Sequence, residues 1–309
     1  MNIYNFFVES PRYLCALLAT VLASACGVDV PGGSIDDPAW LDAHGGETAG
    51  GADSSRSYDG GGDGSTGASD SGAGSGDLVA NTSEYYAFWQ QTRRLAKNPS
   101  PFGDAWQDSR VSSIGLVKVD WQGNQGTAYT HTCAVNSNSV FSSQLTYPAA
   151  FVNALDSGPL PMQRNGSQVE LLQSTTWLGL KVGYTDAMPA VGDGTHSALV
   201  DSDGDGHPGV TVYIDAPVLG QQAVYVVQRT SSNWKATQGS DGRIDALPSA
   251  AQEQVTVGAS SSILVVEDVS KPLPGLAPVE LHWKPVDAGL GCAALAAKAK
   301  EMTGQAWPP

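Results

Sequence analysis

The sequence predicts an all-β domain, mainly antiparallel, carried behind an export signal and a long polar tether. Three observations carry the fold class. Short runs of apolar and β-branched residues alternate with polar ones from about residue 77 onward. Gly, Pro, Asn and Asp punctuate those runs at short intervals, and helical periodicity is nearly absent. Strands following strands without intervening helices argue against a parallel sheet and for an antiparallel barrel or sandwich of about eight to ten strands.

Taken in order, Tyr85–Trp89 suits either a strand or a helix start, and its aromatic cluster favours strand. Val117, Val119 and Trp121 alternate with Lys118 and Asp120. The turn Gln122-Gly-Asn-Gln-Gly126 then leads into Thr127–Val135, so this stretch reads as a hairpin. Further strands are expected at Gln168–Gln173, Thr176–Val182, Val210–Asp215, Gln222–Arg229, Ser232–Thr237, Glu253–Val257, Ile263–Glu267 and Val279–Lys284. One helix is expected near the C-terminal end, Ala293–Met302, from its Ala, Leu and Lys content. The piece from residue 77 to 309 is long enough to bury one core, and nothing divides it.

The chain opens differently. Tyr13–Ala25 is an apolar run behind Arg12, short for a bilayer span of about 20 residues but suited to the core of a secretory signal. Ala23-Ser-Ala25-Cys26 resembles the lipobox of Gram-negative bacterial lipoproteins, although Ala23 stands where that family usually carries Leu and Leu22 lies one position earlier. The resemblance implies cleavage before Cys26, a diacylglycerol on its thiol and a membrane contact through that lipid, with the outer membrane of the cell envelope as the expected location. Cleavage after Ala25 without lipidation would instead yield a secreted protein. From Gly27 to Gly76 the composition turns to Gly, Ser, Ala and Asp. Such a segment cannot bury a core, and about 50 residues of it hold a domain on the order of 40 Å from its anchor. The expected division is therefore 1–25 signal, 26–76 tether, 77–309 β domain.

Export fixes the reading of the cysteines, because an oxidising compartment lets thiols pair. Of the four, Cys15 leaves with the signal and Cys26 is assigned to lipid, leaving Cys133 and Cys292 as the disulfide candidates. That bridge would staple a strand to the start of the helix. No C-x-x-C spacing points to a thiolate zinc site.

One motif is chemically sharp. Asp201-Ser-Asp203-Gly-Asp205-Gly206-His207 places carboxylates at alternate positions ahead of a glycine, a density of hard oxygen donors that suits calcium. The run resembles the Asp-x-Asp-x-Asp-Gly loops of thrombospondin type 3 repeats, dockerins and EF-hands. That resemblance implies Asp201, Asp203 and Asp205 as side-chain ligands, the His207 main-chain carbonyl as another, and Gly206 at the sharp turn. An EF-hand would close with Glu where this chain has Val212, and Val210, Val212 and Ile214 alternate as a strand where a helix should follow. Pro208-Gly209 interrupts the thrombospondin pattern, and the loop occurs once. The missing oxygens would come from Asp193, Asp215, a carbonyl or water, for a weak site of about 10⁻⁴–10⁻³ M. The competing reading is a solvated turn ahead of a strand.

His282 alternates with Leu281 and Trp283 and is expected on the solvent face. His131 shares a face with Cys133 and reads as a satisfied core histidine. No H-E-x-x-H, G-x-S-x-G or P-loop is present, and Ser232-Asn-Trp-Lys235 matches S-x-x-K without its partner motifs, so no catalytic residue is assigned. With 31 acids against 16 bases the chain is poorly suited to nucleic acid. Two functions follow. The first is a calcium-stabilised β module with a protein or polysaccharide surface partner. The second is a lipocalin-like or avidin-like barrel whose small apolar ligand sits among Trp121, Tyr129 and Trp177.

Overall fold

The computed structural model describes residues 81–98, 105–138, 143–216, 220–265, 267, 270–303 and 307. The expected signal, Cys26 and the expected tether lie outside the described residues. In chain order the elements are β1 (Asn81–Asn98), β2 (Ala105–Gln122), β3 (Gln125–Ser137), β4 (Gln144–Thr146), α1 (Ala149–Asn153), β5 (Ser157–Asn165) and β6 (Gln168–Leu178). They continue with β7 (Val210–Ala216), β8 (Gly220–Thr237), β9 (Ile244–Ala246), β10 (Ser249–Ala259), β11 (Ser270–Pro272), β12 (Val279–Pro285) and α2 (Cys292–Thr303). Among the described residues all twelve strands belong to one antiparallel sheet, ordered β4-β7-β8-β6-β5-β3-β2-β1-β12-β9, with β10 on β8 and β11 on β1.

The sheet curls without closing. Trp234 on β8 and Trp283 on β12 stand six positions apart in strand order, yet their rings meet edge to face at 5.1 Å. Among the described residues the two ends of the curl are joined by backbone only through the isolated bridge Gln238↔Ile244. Of the expected barrel or sandwich, the closed barrel is thereby corrected: the seam holds through side chains, because β9 is only three residues long and cannot extend a ladder along β8.

The expected hairpin is β2–β3, turning through Gly123 and Asn124 with Gln122 opposite Gln125 and Gly123 at φ 64°. Tyr85–Trp89 lies within β1, a strand. Two pairs of expected strands fuse. In β6 a bulge between Leu171 and Ser174 shifts the phase of the alternation, so its halves look separate in sequence. In β8 the run Thr230-Ser-Ser232 looks like a turn but pairs with both β6 and β10. Thr176–Val182 ends as a strand at Leu178. Ser262–Leu264 forms a 3-10 turn where Ile263–Glu267 was expected as a strand, and it buries Leu264 without needing a partner strand.

Alternation along the strands explains the interior. At one end of the curl the inward side chains Tyr86, Phe88, Val117, Val119, Met162 and Trp234 form an apolar cluster. At the other end Leu178, Val210, Val212, Val224 and Val226 join Phe151 of α1 in a second. Between them the same inward positions become polar: Thr130 and Thr132 on β3, Ser174 and Thr176 on β6, Thr230 and Ser232 on β8. The interior thus reads apolar, hydroxyl, apolar along its length.

The outer face is covered at two places. Leu295 and Ala299 of α2, one turn apart, bury against Ala87, Trp89, Ile114 and Leu116. The helix is held there by the Cys133–Cys292 disulfide, with Cα atoms 5.1 Å apart and a sequence separation of 159. Elsewhere the loop after β6 lays Leu180 and Ala198 over Val227 and Val257.

Two expected outcomes follow from this packing. A Cβ at Gly115 would collide with the His131 carbonyl oxygen and with Phe88 Cε1, so backbone and ring must both shift. Gly115→Ala should cost on the order of 1–3 kcal/mol in urea unfolding, and an unchanged midpoint would refute this packing. Replacing Cys133 and Cys292 by Ser should cost about 2–5 kcal/mol, with non-reducing peptide mapping of the parent chain recovering the two half-cystines as one linked species.

Candidate functional site

The acidic loop hangs between two backbone clasps. Gly209 N–H donates to the Val200 carbonyl at 2.8 Å and Ser202 N–H donates to the Gly209 carbonyl at 3.0 Å, closing its neck. Gly179 N–H donates to Ser202 Oγ from the preceding segment. Val210 then enters β7, so the loop is rooted in the sheet where the sequence places the strand. Gly204 and Gly206 take φ of 69° and 86°, the left-handed conformation that lets the chain curl back on its own carboxylates.

Asp201 sits at the centre of that curl. Its Oδ1 accepts Gly204 N–H at 2.8 Å and Asp205 N–H at 3.2 Å, and its Oδ2 accepts Gly206 N–H at 2.8 Å. Asp203 Oδ2 accepts Thr211 N–H at 2.7 Å. Asp205 accepts His207 N–H at 2.9 Å on Oδ1 and the Thr211 hydroxyl on Oδ2. Carboxylate oxygens of all three lie within 4.8 Å of one another. Asp203 Oδ1 is buried and meets no donor. In the folded chain burial pushes the Asp203 carboxyl up to about 6, the Asp205 and Asp201 charges add to the rise, and Thr211 N–H works against it.

The remaining expected oxygens are placed elsewhere. Asp193 spends Oδ1 on the amide and hydroxyl of Thr195, and Asp215 pairs in the ladder with Gln221 and Gln144. Neither joins the cluster of three among the described residues. His207 turns its ring away to stack on Tyr225 of β8, centroids 4.2 Å apart and 12° between planes. The protein offers three carboxylates on one side and leaves the rest of a coordination shell to carbonyls and water. Chemically the loop gathers carboxylate oxygens of the kind a hard cation takes.

His131 and Asp156 form a second, buried constellation. His131 Nδ1 and Asp156 Oδ2 are 2.7 Å apart, and Asp156 Oδ1 accepts Thr132 N–H at 2.8 Å. His131 also neighbours Cys133 and Cys292, whose sulfurs are consumed by their mutual bond. Sequence reasoning found the histidine and missed its partner, since nothing in Leu155-Asp156-Ser157 marks an acid that will be fully buried. His282 keeps to the outer side of β12, against Trp89 and Asp245. Trp121 is packed under the Arg164 guanidinium at 4.5 Å, and neither it nor Tyr129 nor Trp177 lines the interior cavity. Comparison of the chain with protein-family models, with curated proteins and with solved structures finds no match.

The raised Asp203 pKa has a signed consequence for the calcium-free protein. A carboxyl that holds its proton more tightly folded than unfolded contributes stability below about pH 4, and loses it as pH rises through about 6. Melting curves in EDTA should therefore show the chain losing stability across that window relative to Asp203→Asn, which cannot ionise. Parallel pH profiles for the two proteins would contradict the assignment.

Proposed function

We propose that the chain is an exported, lipid-anchored protein of the cell envelope whose β domain is completed by calcium at the acidic loop and engages a protein or polysaccharide surface partner. The observation that supports the cation best is the geometry at Asp203. Three carboxylates are gathered on one curl of backbone, and the buried Oδ1 of Asp203 is left with no hydrogen to accept. A divalent cation would turn mutual repulsion into attraction and serve that oxygen. The loop roots in β7 and touches β8 through His207 and Tyr225, so ordering it would stiffen two strands of the sheet. The envelope location is supported by the signal-like residues before Cys26 and by the polar segment behind it, both sequence features. This reading assigns no catalytic residue and no nucleic-acid partner.

Calcium should raise the melting temperature of the full chain by a few degrees, since ligand at 100 times its dissociation constant adds about 2.7 kcal/mol to the native state. Magnesium should do much less, because it demands tight octahedral geometry and surrenders water reluctantly. The Asp203→Ala, Asp205→Ala double variant should show no calcium response. Identical melting in EDTA, calcium and magnesium would leave the loop a plain turn.

The anchor is tested separately. A fatty-acid probe fed to producing cells should label the chain, and Cys26→Ala should abolish the label. Label that persists in the variant would remove the lipid from the account.

A further inference from the structure

The hydroxyl belt between the two apolar clusters encloses a cavity of about 90 Å³. Belts of this kind are costly. Each hydroxyl taken from water without a partner is destabilising, and an apolar filling of the same positions would have stabilised the curl. Several members satisfy themselves: Thr130 Oγ1 and Ser157 Oγ are 2.7 Å apart, and Thr176 Oγ1 donates to the Thr230 carbonyl at 3.2 Å. Having donated once, such an oxygen still accepts. Thr132 is different. It is 1% exposed, it lines the cavity, and its Oγ1 has no hydrogen-bond partner among the described residues.

The opposite wall is carbon. Phe88, Trp234 and Trp283 line the same space, with Leu171 and Leu281 beside them. None of the residues lining the cavity is charged, so an ion entering it would lose its water against no countercharge. A purely apolar guest would strand Thr132 and the accepting hydroxyls. What fits both walls is a neutral molecule with hydroxyls along one edge and a C–H face on the other. A space of about 90 Å³ has room for the edge of one sugar ring and not for a buried oligosaccharide. Thr130, Ser174, Thr176 and Ser232 are only half-buried, and as inward-facing residues they leave the space reachable from solvent.

From this we infer that the cavity is a binding site for neutral carbohydrate, taking the hydroxylated edge of a single sugar residue against Thr132 and its C–H face against Trp234 and Trp283. The inference names a ligand class for the surface-binding role, and it depends neither on calcium nor on the lipid.

Saturation-transfer NMR on the full chain, with calcium and again with EDTA, would use methyl α-glucopyranoside, methyl β-galactopyranoside, N-acetylglucosamine, their β-linked oligomers, glycerol, glucuronate and cyclohexanol as probes. At least one neutral sugar should receive magnetisation and quench tryptophan fluorescence, while glucuronate and cyclohexanol should not. An oligomer that binds through its terminal residue identifies a polysaccharide end as the source, and monosaccharide alone identifies a free sugar. Thr132→Val should weaken the sugar at least tenfold, the loss of one buried hydrogen bond, without lowering the melting temperature, because the hydroxyl it removes has no partner in the protein. Ser174→Ala, at a half-buried position, gives a second reading if Thr132→Val folds poorly. Silence from every neutral sugar, stronger binding of cyclohexanol, or sugar binding unaffected by both variants would each overturn the site. A calcium-induced rise in melting temperature alongside that silence would sink the carbohydrate alone, and sugar binding in EDTA with no calcium response would sink only the metal.

Discussion

The fold depends on a single sheet meeting itself. Among the described residues twelve antiparallel strands pair into one sheet, and along its seam Gln238 and Ile244 form the only bridge. What holds the seam is the inner face: Trp234 against Trp283 at 5.1 Å, Tyr86 against Trp283 at 5.5 Å, and Gln238 Nε2 donating to Tyr86 Oη at 3.1 Å. Aromatic burial of this size dominates core energetics, and edge-to-face contact adds about 0.5–1.5 kcal/mol per pair. Lose it and the inner face opens to water.

β8 is where that constraint reaches the rest of the molecule. One edge carries β7 and then β6, the other carries β10. Its inward residues pass through all three interior zones, from Val224 and Val226 through Thr230 and Ser232 to Trp234. Outward, Tyr225 lies under His207 of the acidic loop and Val227 under the segment that leads to it. A change at the loop is therefore separated from the hydroxyl belt by a few residues of one strand, and stiffening β7 and β8 is a direct mechanical route between them.

Much of this was legible. The hairpin of β2 and β3, the strands at Val210 and Val279, the C-terminal helix and the Cys133–Cys292 pair all follow from local pattern or simple counting, because period-two alternation and turn residues are written in neighbouring positions. The acidic loop was legible as a motif, and the curl of its backbone at Gly206 with it. The rest is nonlocal. The phase shift at the β6 bulge hid a single strand as two, and the buried partner of His131 is set by the packing of α1 and β5, far from it in sequence. Strand spacing and turn residues left barrel and sandwich both open, because closure depends on the length of β9, which the sequence around Arg243-Ile-Asp-Ala246 does not advertise. Most instructive is the belt. Thr130-His-Thr132, Ser174-Thr-Thr176 and Thr230-Ser-Ser232 each place hydroxyls two apart, the same signal in three strands, but only the register that stacks them in one layer gives the signal its meaning.

The central claim, that side chains and not a backbone ladder hold the curl together, is tested most directly by amide hydrogen exchange on the native chain. Amides of residues 234–238 and 244–246 that point into the seam should exchange through small local openings, while the long β1–β2 ladder exchanges only with global unfolding, and Trp234→Ala should speed the seam selectively. Protection at the seam equal to that of β1–β2, unchanged by that substitution, would mean that the sheet is closed by its backbone and that the account is wrong.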